Sequence, residues 1–170
     1  MKKIVLALGL IMFGTMAFAQ RYAIIDTKYI LDKMPEYKDA DKKLKVISEQ
    51  WQKEIDDKQI QLDKMYKNYE AEQFMLSDEL KKKREDELFN KEKELRDLQK
   101  KRFGYEGDLF KERQKLVKPI QDKVYTAVQK IAVARGYDFI LDKSEGITVI
   151  FADPKIDKSE DILRELGIKQ

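Results

Sequence analysis

From about Glu36 to Lys118 the chain runs without proline and sets its apolar residues at helical spacing on an otherwise charged background. Leu44, Ile47, Trp51, Ile55, Leu62, Met65 and Tyr69 recur in steps of three, four and seven, and Leu80, Leu88, Leu95, Leu98, Tyr105, Leu109, Leu116, Ile120, Val124, Val128 and Ile131 continue the pattern. Such a stripe is too narrow to face a broad core. It reads as the seam of a coiled coil. One helix from Asp39 to Arg135 would be roughly 145 Å long at 1.5 Å per residue, so a reversal is expected. The place for it is Gln73 to Asp78, where Phe74, Met75 and Leu76 interrupt the seam and Ser77, followed by Asp78 and Glu79, resembles a helix N-terminus. Folding there sets Trp51 beside Phe103, Ile55 beside Leu98 and Leu44 beside Phe110, as an antiparallel helical hairpin requires.

Interruptions of the returning pattern carry expectations of their own. Pro119 should kink the helix, at a cost of up to about 3 kcal/mol, and is read as the point where the arm enters a body. Gly104 and Gly107 fall mid-arm, each weakening helix by about 1 kcal/mol relative to alanine. They read either as a hinge or as tolerated defects.

The ends of the chain change period. Tyr22 to Asp26 is a short β-type run, and Tyr137 to Asp142 and Ile147 to Ala152 are two more, joined by the turn-like Lys143-Ser144-Glu145-Gly146. Gly136 is placed to end the long helix in the left-handed conformation. Ser159, Glu160 and Asp161 should cap a final short helix, Ile162 to Leu166, closed by Gly167. The expected class is α+β: a long helical hairpin attached to a small β-body that oligomerises. Its divisions are 1–19, 20–35 (first strand), 36–118 (arm) and 119–170 (end of the returning helix, two strands and a helix).

Residues 1–19 have the three parts of a cleaved signal peptide: Lys2 and Lys3, the apolar run Ile4 to Phe13, and Ala17-Phe18-Ala19. The mature chain would then begin at Gln20. No later stretch approaches the roughly 20 apolar residues of a membrane helix, and without cysteine there is no site for a lipoprotein anchor. Export to the periplasm as a soluble protein is the expectation. Losing Lys2 and Lys3 takes the 35 basic residues to 33 against 32 acidic ones, so the net charge falls from +3 to +1. That balance argues against nucleic acid as a partner.

Composition also restricts chemistry. The chain has no His and no Cys, which removes the usual general base, thiol nucleophile and transition-metal ligands. No stretch reads as a phosphate-binding glycine loop. An enzyme is therefore not expected, nor is any cofactor or metal. Stability must come from packing or association, because no disulfide is available.

The order of elements, with the start Tyr22-Ala-Ile-Ile-Asp-Thr-Lys-Tyr-Ile-Leu, the return Lys115-Leu-Val-Lys-Pro-Ile-Gln-Asp-Lys-Val and the ending Gly136-Tyr-Asp-Phe-Ile-Leu-Asp, resembles the Skp/OmpH family of periplasmic chaperones. The resemblance covers essentially the whole mature chain. It implies a homotrimer with a central β-body and three arms enclosing a cavity, which holds unfolded outer-membrane proteins without ATP. The arms depart from the strongly basic character of such proteins, since Lys38 to Lys115 carries both signs about equally.

Three groups of residues are candidates for function. Tyr66, Tyr69, Phe74, Met75 and Leu76 make the most apolar part of the distal arm and suit contact with varied clients, although packing of the turn accounts for them equally simply. Ile24, Ile25, Ile140, Leu141, Val149 and Ile150 form an apolar set that one copy is not expected to bury fully, and so assign oligomerisation to the body. Lys81, Lys82, Lys83 and Arg84 are candidates to meet the phosphates of lipopolysaccharide or acidic lipids at a membrane surface. Glu85, Asp86 and Glu87 oppose them, which favours a plain solvated face. Two functional classes follow: an ATP-independent holdase, and a structural coiled-coil spacer of the envelope.

Overall fold

The computed structural model of the protein describes residues 20–144, 146 and 149–168. The expected signal peptide lies outside the described residues, as do Glu145 of the expected turn and the start of the expected third strand. The chain divides into two compact units, residues 34–123 and the segments on either side of them.

In the first unit, helix α2 (Pro35–Glu72) runs out and helix α3 (Asp78–Phe103) runs back. Pro35 opens α2 at the position where a missing N–H costs nothing, and Glu36 in the first turn complements the positive helix end. The two helices pack along the seam, burying Ile55, Leu62, Leu88 and Leu95, with Met65, Tyr69 and Leu98 half-covered beside them. The rings of Trp51 and Phe103 meet edge to face with centroids 6.4 Å apart, an aromatic pairing that the expected register requires. The reversal falls in the expected place. A single 3-10 turn, Gln73–Met75, ends α2, Leu76 is extended, and Ser77 Oγ accepts from the Leu80 amide at 3.4 Å to start α3.

The returning arm is not one helix. It breaks after Phe103 and resumes as α4 (Asp108–Arg135). A Cβ on Gly104 would lie 2.3 Å from the Lys100 carbonyl oxygen, and Glu106 takes a left-handed φ of 53°. Pro119 does not end the helix, because α4 continues through it, and the boundary between the two units falls just beyond it, after Lys123. Proline forfeits one helix bond and costs up to about 3 kcal/mol, but Val117 and Ile120 beside it are both buried, each contributing about 1.5–3 kcal/mol. Leu44 faces Leu109 across a cleft, whereas Phe110, the expected partner, is half-exposed one position on. Lys123 pairs with Glu36 at 2.7 Å.

The second unit is built on a strand pair. Strand β1 (Tyr22–Ile25) lies parallel to β2 (Phe139–Asp142), with Tyr22 opposite Phe139 and Ile25 opposite Asp142. The Tyr22 and Phe139 rings stack at 5.7 Å. Helix α1 (Thr27–Lys33) is capped by Asp26, whose Oδ1 accepts from the Tyr29 amide at 2.8 Å, and it packs on helix α5 (Ser159–Glu165). Ile30 and Ile162 are wholly buried there. Gly136, at φ 63°, ends α4 with Tyr137 N–H bonded to Ala132 O at 2.9 Å, the left-handed closure expected.

Several expectations for this unit need correction. Among the described residues Val149 to Ala152 form no strand; the second edge of β1 takes a bridge from Ile24 to Asp157 instead. One copy does bury Ile24 and Ile25, while Ile140, Leu141 and Val149 are half-buried and Ile150 is 95% exposed. Helix α5 begins earlier than expected because Asp157 accepts from the Ser159 amide at 2.9 Å, which frees Ser159 Oγ to accept from the Asp26 amide at 2.9 Å.

Two carboxylates tie the loop after β2 to the body. Asp142 accepts from the Thr27 amide (3.1 Å), the Thr27 hydroxyl and the Ser144 amide (2.9 Å). Asp157 accepts from Lys143 Nζ at 2.6 Å as well as from Ser159. Burial pushes both acids up, but these hydrogen bonds outweigh it and hold both below the ordinary carboxylate range. A lowered folded pKa supplies stability that is complete above the unfolded value near 3.8 and lost as pH falls through it toward the folded one. Amide exchange at residues 143–144 and 149–158 should therefore accelerate as pH falls below about 4, before the hairpin seam opens. Asp142→Asn should weaken that dependence, and an unchanged pH profile in the variant would count against the assignment.

Candidate interaction surface

The distal hairpin presents large apolar groups that its own packing does not use. Phe74 and Met75 are 88% and 81% exposed, because the 3-10 turn carries them past the end of the seam. Leu76 is half-buried and Tyr66 is exposed. Tyr69 belongs to the seam instead: it packs against the buried leucines and donates its hydroxyl to Glu85 at 2.5 Å, a bond that raises its pKa. The five candidates therefore separate into a projecting pair, two intermediate residues and a packed one. Ile60, Leu80 and Phe89 are also about half-exposed or more. Ile60 and Phe89 were legible as apolar residues off the seam, while Leu80 follows the seam spacing and yet lies outside the packed cluster.

Enclosed ligand space is small here. A cavity of about 110 Å³ lies between Met65, Tyr69, Arg84 and Leu88, well below the roughly 300–1,000 Å³ of small-molecule sites. Lys81 is half-buried, Lys82 and Lys83 are exposed, and Arg84 is paired with Glu87 at 3.1 Å. Intrahelical pairs of this kind are worth a few tenths of a kcal/mol, so they reduce the local field without fixing the side chains. Among the described residues no cluster of acids is placed to hold a metal ion, and no helix is long and apolar enough to cross a membrane.

This arrangement of a strand, a long helical hairpin and a return to strand and helix is shared with known proteins. The family described as outer membrane protein (OmpH-like) matches residues 21–166. The chain belongs to the OmpH-like family. Among solved structures, a protein from Caulobacter crescentus CB15 described as an OmpH-like outer membrane chaperone superposes with a TM-score of 0.69 at 18% identity, covering 87% of this chain and 84% of the other. At that identity the likeness extends to the fold. No curated protein matches the sequence.

Because Phe74 and Met75 touch little, replacing both with serine should leave the OmpH-like fold intact. The change in unfolding free energy should stay within about 0.5 kcal/mol, whereas Leu62→Ala should cost about 2–5 kcal/mol. Urea denaturation followed by circular dichroism measures both, and a large loss in the Phe74/Met75 variant would mean that the pair is structural.

Proposed function

We propose that this protein is an ATP-independent holdase of the periplasm, which keeps unfolded outer-membrane proteins from aggregating within a cavity between helical arms. The observation that carries the reading is the exposure of Phe74 and Met75 at the end of a hairpin whose seam is otherwise closed. Adaptable apolar groups at the tip suit contact with many sequences, and membership of the OmpH-like family supports the same role. Each well-buried client side chain contributes about 1.5–3 kcal/mol before ordering costs, so several arms acting together would replace one strong site.

That argument calls for an oligomer, and the resemblance favours a trimer. Ile150 and Phe151, 95% and 83% exposed, are apolar surface available to a second copy. Ile150→Asp should leave the single chain folded and shift sedimentation at micromolar concentration to the monomer. A wild-type monomer under those conditions would remove the oligomer from the proposal. Contact of Lys81, Lys82, Lys83 and Arg84 with lipid phosphates stays secondary to this reading, given the acids around them.

The alternative is a structural spacer of the envelope, favoured by the well-packed pairing of Ile55, Leu62, Leu88 and Leu95. Dilution of a urea-unfolded outer-membrane barrel protein into the mature chain separates the two. A holdase suppresses aggregation without nucleotide, and a spacer does not. Changing Phe74, Met75 and Leu76 to serine should weaken suppression, while raising salt from about 0.05 to 0.5 M should weaken it little, since the arms are nearly neutral. Release by salt with no effect of the triple substitution would assign the grip to charge.

A further inference from the structure

The break between α3 and α4 is bridged by the side chain of Arg102. Arg102 lies over the Trp51 ring, with its guanidinium carbon 4.7 Å from the centroid. It pairs with Glu54 of α2 at 3.3 Å and with Asp108, the first residue of α4, at 2.8 Å. One residue thus joins the outgoing helix to both pieces of the returning one. Phe103 covers the Trp51 edge from the same side of the break.

The linking segment is closed by one short backbone bond of its own, from Gly107 N–H to Gly104 O at 2.9 Å. Tyr105 is 97% exposed, Glu106 is left-handed, and glycine stands on either side of them. Below the break, α2 and α4 stand apart around a cleft of about 330 Å³ floored by Leu44, Leu109 and Val117. The closed state also carries a penalty: Arg102 Nε is buried and has no acceptor. An unsatisfied buried donor lowers the stability of the arrangement that buries it.

We propose that residues 104–107 form a joint latched by Arg102 on Trp51, and that release lets the start of α4 swing from α2, widening the cleft and uncovering an apolar surface midway along the arm. Helix α2 stays continuous through this point, so it serves as the spine against which α4 moves. The surface would lie roughly 40 Å along α2 from the tip turn. It is therefore separate from Phe74 and Met75, and the joint does not depend on the holdase reading.

Trp51 is the chain's one tryptophan and reports the latch directly. In the mature full chain without client, Arg102→Met should raise acrylamide quenching of Trp51 at least about twofold, and should accelerate amide exchange at residues 103–112. Exchange around Leu62 and Leu88 should match wild type. Glu54→Gln, which keeps the stacking and removes one pair, should fall between the two and serves if Arg102→Met does not fold. Unchanged quenching overturns the proposal. Faster exchange spreading through the whole seam also overturns it, because Arg102 would then be ordinary packing of the arm.

Discussion

Everything in the arm depends on a strip of apolar side chains too narrow for either helix to survive alone. Helices as charged as α2 and α3 gain little from propensity in water, and their stability comes from covering one another's seam. Ile55, Leu62, Leu88 and Leu95 do this with one large residue about every two turns. The arrangement leaves most of each helix free to be charged and solvated. It also limits what can be spared for binding: a seam residue turned toward a client would be lost to the hairpin. Surface for a partner has to come from where the seam stops.

The seam stops at the tip and again at mid-arm, by different means. At the tip, Ser77 begins a new helix and the three preceding apolar residues cannot all reach the seam, so Phe74 and Met75 project. At mid-arm, two glycines end α3 while α2 continues. There Arg102, beside the Trp51–Phe103 ring pair, takes over from the aliphatic contacts of the seam. Charge and ring stacking hold what burial holds elsewhere.

Much of this was legible from residue order. Helical spacing fixed the two arms, and a serine followed by two acids fixed the reversal, because both are local signals. The break at 104–107 was harder to read. Tyr105 continues the seam spacing by number, yet it is almost fully exposed, since the spacing counts only while the backbone stays helical. The third strand failed for a different reason: Val149 to Phe151 have strand-forming side chains, but such side chains express only a preference for a pleated, half-buried surface, and Ile150 and Phe151 have none to pack on within the chain. Ile24 and Ile25 looked too apolar for one copy to cover because the packing of α1 on α5 is a tertiary fact with no sequence signature.

The parallel pairing of Tyr22 with Phe139 has a consequence for the order in which the molecule forms. β1 leaves the ribosome early and cannot pair until more than a hundred further residues have followed. The hairpin can form meanwhile from neighbours in sequence, and the Glu36 to Lys123 contact closes off the intervening chain. Each halving of an open loop saves only about 0.6 kcal/mol, so the advantage is modest in stability. In time it is larger, since helical contacts form quickly and non-local strand pairing slowly. The arm is thus the scaffold on which the two ends of the chain find each other.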